Sequence, residues 1–253
     1  MSPKREFAVV GKSVAKVDGL ALARGGKLFV ADLLPPGCLV GKILASPYAH
    51  ARIASIDASA AEALPGVHAV LHHGNVPRVM RTTAGQGAPE PSPYDFTTFD
   101  RKVRFVGDRV AAVAAESEAI AEEALRLIKV EYEVLEPLLD PRRAMAPGAP
   151  VIHDEPDCRA VIPVPYEPKR NLAAHVDTRV GDTDEGYAEA DVVLEREYEC
   201  QYAQHTPIET HAALAEPLPD GRLRITTSTQ VPFHARRIAA QALGWPVSRL
   251  HVV

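Results

Sequence analysis

Between residues 137 and 170 the chain carries eight prolines: Pro137, Pro141, Pro147, Pro150, Pro156, Pro163, Pro165 and Pro168. Each fixes φ and removes an amide donor, so neither a helix interior nor a sheet ladder can run through the stretch. The chain therefore divides into a structured unit before it, another after it, and an irregular connection between them. Val151, Ile152, Val161, Ile162 and Val164 imply that this connection wraps across a surface rather than hanging free. A second irregular stretch is expected at residues 81–99, where GQGAPEP holds two glycines and two prolines.

The first unit reads as α+β. CLVGKILAS and ARIASID suit strands, and VHAVLHH supplies another. Ser59 precedes Glu62 at capping-box spacing, which predicts a short helix that Pro65 and Gly66 end. A second strand-helix-strand run follows. VAAVAAE at 110–116 is a short apolar strand of core material, Ser117 caps a helix reaching about Lys129, and VEYEV follows as a strand. In that helix Ile120, Ala124, Leu127 and Ile128 recur on one side, as packing on a sheet requires. The two units together predict one small sheet covered by two helices.

After the connection, Asp182 and Glu185 open a short helix. VVLEREYECQYA alternates, with Val192, Leu194, Tyr198, Cys200 and Tyr202 on one face and Glu195, Glu197 and Glu199 on the other. That pattern predicts a long half-buried strand whose acids form a solvated face. Pro219-Asp220-Gly221 joins ETHAALAEP and RLRITTST into a hairpin. A helix is expected over residues 232–243, with Pro232 in its first turn, Gly244 past its end, and Phe233, Ile238, Ala242 and Leu243 as packing residues. RLHVV then begins a further strand, an edge on which another chain could pair.

Composition excludes several classes of function. Of 253 residues, 28 are Lys or Arg against 33 Asp or Glu, a formal charge of -5, unlike a protein that tracks a nucleic-acid backbone. No secretory leader or bilayer-length apolar run is present, so a cytoplasmic protein is expected. Cys38, Cys158 and Cys200 form no metal-binding or disulfide pattern and read as buried small side chains. His205, Glu209 and His211 superficially resemble a metal trio. They lack HExxH spacing, and Pro207 lies among them, so a buried hydrogen-bond network is expected there instead. His72 and His73 read as solvent-facing and His50 as structural. Gly107, Gly25 and Gly26 lack the spacing of a phosphate loop.

Three long stretches carry a resemblance. They are VGKSVAKVDG with FVADLLPPGCLVGKILASPYAHARIASIDASAAEALPGVHAVL, then KVRFVGDRVAAVAAESEAIAEEALRLIKVEYEVLEPLLDPRRAM, then residues 181–253 from GDTDEGYAEAD through STQVPFHARRIA to the end. They resemble the molybdenum-binding subunits of the xanthine dehydrogenase and aldehyde oxidase family, with details such as FVGDRVAAVAAE closest to bacterial xanthine or purine dehydrogenases. The resemblance implies an N-terminal extension at 1–14, an α/β hammerhead domain at 15–146, a linker at 147–175, and the first, incomplete part of a molybdopterin-binding domain at 176–253.

It further implies a molybdenum–pyranopterin cofactor and hydroxylation of a purine, another N-heterocycle or an aldehyde, with water as the oxygen source. Electrons would leave through [2Fe-2S] clusters and FAD on an iron–sulfur subunit and an FAD subunit. By position, Gln230 of STQ matches the family glutamine beside the molybdenum, where its amide can donate to an oxo ligand. His205 and Glu209 match a family histidine and carboxylate in a patterned turn, a supporting shell. The family's glycine-rich segment, later arginine and catalytic glutamate fall outside the sequence. A complementary C-terminal molybdenum-binding chain is therefore expected, with this chain inactive alone and no direct metal ligand in it. The alternative is a non-catalytic assembly or interaction module, or a truncated remnant. Neither nucleic acid nor membrane is an expected partner.

Overall fold

The computed structural model describes residues 7–26, 29–82, 87 and 89–253. Gly85, Gln86 and Ala88 of GQGAPEP, the first residues of the N-terminal extension and Lys27 of ARGGK lie outside the described residues. The elements in chain order are α1 (Gly19–Ala23), β1 (Val40–Ala45), β2 (Ala51–Asp57), α2 (Ser59–Glu62), β3 (Val67–His72), β4 (Lys102–Val103), β5 (Arg109–Ala115), α3 (Glu118–Leu127), β6 (Lys129–Val134), α4 (Pro141–Ala144), α5 (Thr183–Glu189), β7 (Ala213–Pro217), β8 (Leu223–Thr227), α6 (Pro232–Leu243) and β9 (Leu250–Val252). Among the described residues, no helix is long and apolar enough to cross a membrane.

The first unit holds two antiparallel sheets, ordered β1-β5-β3 and β4-β2-β6, and not the single sheet that the repeated strand-helix-strand pattern suggests. Each repeat sends its strands to different sheets: β2 and β6 join one, β3 and β5 the other. Periodicity identifies strands but carries no information on which backbone edge a strand selects.

β5 is central to its sheet, and its outward and inward positions are both largely covered. Ala111 and Ala115 meet Ala61, Ala121 and Ala124, all with no exposed surface, in one cluster with Val70, Val113 and Ile128. Small side chains on both partners let α3 approach the sheet closely, which concentrates dispersion contacts that larger residues would hold apart. Val110, at the start of the same strand, packs instead with Ala51, Ile53 and Val103 of the other sheet. Leu44, Ile56 and Val130 touch both clusters. The Ser117 hydroxyl caps α3 by accepting from the Ile120 amide at 3.3 Å.

At α2 the expected Ser59 cap gives way to Asp57, whose Oδ1 accepts from the Ser59 amide and hydroxyl at 3.0 and 2.6 Å. A carboxylate one position outside the turn is the stronger acceptor, so Ser59 becomes the first helical residue. Gly66 closes this turn at φ +85°, and a Cβ there would lie 2.8 Å from Ile120 Cδ1.

The proline-rich connection does wrap the first unit. Its start returns to β2, with the Leu135 amide donating to the His50 carbonyl and His50 Nδ1 2.7 Å from the Glu136 carbonyl. Lys102, 2% exposed, donates through Nζ to Asp154 Oδ1 and the Val151 carbonyl at 2.8 and 3.1 Å. Arg52 takes the other Asp154 oxygen at 2.6 Å. Tyr94 and Arg159 exchange backbone hydrogen bonds. Asn171, at φ 53°, donates through Nδ2 to the carbonyls of Ala144 and Pro150 and accepts at Oδ1 from the Ile152 amide, clasping the connection to itself.

In the second unit, the Asp182 carboxylate caps α5 at the Asp184 and Glu185 amides, and the β7–β8 hairpin forms with β9 added parallel to β8. The long strand expected over 192–202 is absent: the segment has no regular secondary structure and is exposed throughout. A strand persists only where a neighbour takes its backbone hydrogen bonds, and no described residue does so here. Glu195, Glu197 and Glu199 face solvent, as do Val192, Val193, Leu194, Tyr198 and Tyr202. Phe233 and Leu243 are also exposed, and α6 buries His234 and Ala240 in their place. Cys200 is exposed and Cys38 and Cys158 are half-buried, not core residues. His72 and His73 are half-buried rather than solvent-facing.

Gly66→Ala should destabilise the chain by about 2 kcal/mol, through left-handed backbone strain and the clash with Ile120. Comparing urea or thermal unfolding of the variant with the parent measures it, and an unchanged midpoint would refute the packing described at this turn.

Candidate functional site

Gln230 sits where β8 hands over to α6. The strand is held on both sides: the Thr227 amide donates to the Val253 carbonyl at 3.0 Å, and the Thr227 hydroxyl donates to the Ala212 carbonyl at 2.9 Å. Ser228, Thr229 and Gln230 form the short turn, in which the Thr229 hydroxyl accepts from the Val231 amide at 3.2 Å. Pro232 occupies the first helical turn, where no amide proton is needed. At the far end Gly244 adopts φ 64°, and the Trp245 amide returns to the Ala240 carbonyl at 2.9 Å, a Schellman-type stop. Gln230 itself is exposed. Its carboxamide is free to donate outward from a position fixed at both ends.

Helix α6 is also anchored sideways. Glu90, 3% exposed, accepts from the Tyr94 hydroxyl at 2.7 Å and from Arg237 Nη2 at 3.2 Å, and His234 Nδ1 lies 3.8 Å from the same carboxylate. Arg237 Nη2 donates as well to the Gly87 carbonyl at 2.7 Å. Burial pushes the Glu90 carboxyl up, but the hydrogen bonds from Tyr94, from its own backbone and from Arg237 prevail and hold it below its ordinary value. The irregular stretch at 81–99 thus carries the post that fixes the helix following Gln230. Sequence reading misses this cluster, because Glu90 lies among glycines and prolines with no periodic context, 147 residues from its cationic partner.

His205, Glu209 and His211 are exposed, which corrects the expected buried network. They lie in the irregular segment after residue 191, and no hydrogen bond among the described residues joins them to Gln230. Beside His205, Thr206 has φ 43°, a conformation that β-branched residues rarely hold. A different trio comes together: His153, Glu155 and Cys158, in the proline-rich connection. Its HxExxC spacing is the signal that could have found it.

The residues at the strand–helix junction are neutral hydrogen-bonding groups. Gln230, Ser228 and Thr229 offer no carboxylate, thiolate or imidazole to a metal, but their side chains are of the kind that would donate hydrogen bonds to an oxygen-rich group. This suits a metal carried by its own organic chelate, which needs orientation by the protein rather than a full ligand set.

Known proteins resemble the chain along nearly its whole length. A family model described as the aldehyde oxidase and xanthine dehydrogenase a/b hammerhead domain matches residues 24–136, and one described as the molybdopterin cofactor-binding domain matches residues 165–253. The probable hypoxanthine oxidase XdhD of Escherichia coli (strain K12) is 42% identical over 98% of this chain and 28% of its own length. The xanthine dehydrogenase molybdenum-binding subunit of Escherichia coli O157:H7 is 31% identical over 94% of this chain and 30% of its own. The solved aldehyde oxidoreductase from Desulfovibrio gigas superposes with a TM-score of 0.74 at 28% identity, over 94% of this chain and 26% of that one. The chain therefore spans less than a third of each of these three proteins. It belongs to the aldehyde oxidase and xanthine dehydrogenase family, and consists of the family's α/β hammerhead domain followed by part of its molybdopterin cofactor-binding domain.

Proposed function

We propose that this chain is one component of a cytoplasmic molybdenum hydroxylase that oxidises a purine, another N-heterocycle or an aldehyde, with water supplying the oxygen. In this reading residues 15–146 form the hammerhead domain, 147–175 the linker and 176–253 the opening of the cofactor domain. A complementary molybdenum-binding polypeptide segment, an iron–sulfur subunit and an FAD subunit complete the enzyme. The observation that carries the reading is the match of residues 165–253 to a cofactor-binding domain in which Gln230 stands free at a rigid strand–helix junction.

The cofactor, when bound, supplies the redox chemistry of the hydroxylation. This chain's share is positional. Gln230 would donate a hydrogen bond through its carboxamide N–H to the cofactor, while the hairpin and α6 keep that donor from swinging away. Glu90, through Arg237 and His234, sets where α6 lies and so where Gln230 points, which makes it a positioning residue. His205 and Glu209 belong to an outer shell that forms once a partner segment covers residues 191–209. The exposed Val192, Leu194, Tyr198 and Tyr202 support such covering, since an apolar stripe of this length gains on the order of several kcal/mol on burial.

The first test is native mass spectrometry of the protein from its own host, with molybdenum measured on the same fraction. A larger molybdenum-containing complex that includes this chain is expected; the chain alone and metal-free would defeat the proposal. In the loaded complex Gln230→Ala should lower turnover roughly 10- to 100-fold, with the melting temperature unchanged because the side chain is exposed. Unaltered turnover would remove Gln230 from the site. Glu90→Gln should cost about 2 kcal/mol near neutrality, as charge-assisted hydrogen bonds are lost. Because the folded-state pKa of Glu90 lies below its unfolded value, its contribution is present above the ordinary carboxylate range and fades as pH falls through the folded value. Urea midpoints measured against pH should consequently decline less toward acid in the variant than in the parent.

A further inference from the structure

The proline-rich connection gathers three groups of different ligand chemistry. A ring nitrogen of His153, a carboxylate oxygen of Glu155 and the Cys158 sulfur lie within 4.8 Å of one another, all half-buried. Their remaining atoms are already spoken for by the first unit. Glu155 Oε1 accepts from Arg104 Nη2, which leaves Oε2 facing the Cys158 thiol at 3.7 Å. His153 Nε2 lies 3.9 Å from Asp95 Oδ2, while its Nδ1 is buried with no hydrogen-bond partner. The neighbouring Tyr166 hydroxyl is buried beside the Cys158 sulfur.

A purely structural cluster would satisfy that imidazole nitrogen, because a polar atom buried and unpaired costs about 1–3 kcal/mol. A cation between the three groups satisfies the imidazole nitrogen directly and replaces a weak thiol contact. We infer that His153, Glu155 and Cys158 form a zinc site, with Asp95 orienting the imidazole and Arg104 the carboxylate. Nitrogen, oxygen and sulfur together are the donor set of Zn²⁺, and three protein donors leave its fourth tetrahedral position to water. A carboxylate behind the ligating histidine is the outer arrangement that such sites use.

The charges balance. Binding replaces the Cys158 S–H bond with a sulfur–zinc bond and releases one proton to solvent, with no change of oxidation state. Zn²⁺, one thiolate and one carboxylate sum to zero, and Arg104 is already paired with Asp100.

The test is cobalt titration of the full chain after stripping with chelator under reducing conditions. Expected are thiolate-to-cobalt charge-transfer absorption saturating at one equivalent, its displacement by Zn²⁺, and its loss in Cys158→Ser. Asp95→Asn should keep the band and weaken Zn²⁺ affinity roughly 10- to 100-fold. A parent chain with no such band overturns the proposal, without depending on any variant folding. A band that survives in Cys158→Ser overturns it as well, by assigning the thiolate to Cys38 or Cys200.

Discussion

The close contact between β5 and α3 is the constraint on which the first unit rests. Ala111 and Ala115 on the strand and Ala121 and Ala124 on the helix have no exposed surface, so helix and sheet meet nearly backbone to backbone. β1 and β3 hydrogen-bond to the two edges of that strand. Val110, a single residue before Ala111, packs into the other sheet. One strand thereby belongs to two cores. The sheets cannot separate without breaking it, and the unit should unfold as one cooperative body.

The connection after residue 134 depends on that unit for its shape. It has few amides to offer because of its prolines, and it is held instead by side chains that reach out from the sheets. Lys102 and Arg52 grip Asp154, Arg104 grips Glu155, and Arg78 grips Asp157. Hydrogen bonds from Lys102 and Arg52 hold the Asp154 carboxyl well below the usual range although burial opposes them. The acids of the connection thus replace the backbone pairing that proline denies it.

Much of this is legible in the sequence, and what is not has physical reasons. The strands of the first unit, the Ser117 cap, the hairpin turn and both ends of α6 follow from local chemistry, and each stands where that chemistry puts it. The sorting of strands into two sheets does not, because edge choice is decided by distant partners. The alternation over residues 192–202 is real as a pattern, but a pattern makes a strand only when a neighbour completes its ladder. Gln230 enters the candidate site through resemblance alone. Glu90 is hidden because its significance lies in Tyr94, His234 and Arg237, two of them on an element far along the chain, and a buried ion pair leaves no periodic trace.

The three glutamates of residues 192–202 acquire a different meaning once that segment is seen without a sheet around it. An alternating apolar stretch with unpaired backbone groups is a template for aggregation, since copies could zip together along their free edges. In any in-register pairing of two copies, Glu195, Glu197 and Glu199 would stack like charge on like charge along the whole contact, which is unfavourable at each rung. The same acids leave the apolar face intact for a partner of different sequence. Repulsion among those acids would therefore oppose self-pairing of the segment while leaving its apolar side chains uncharged.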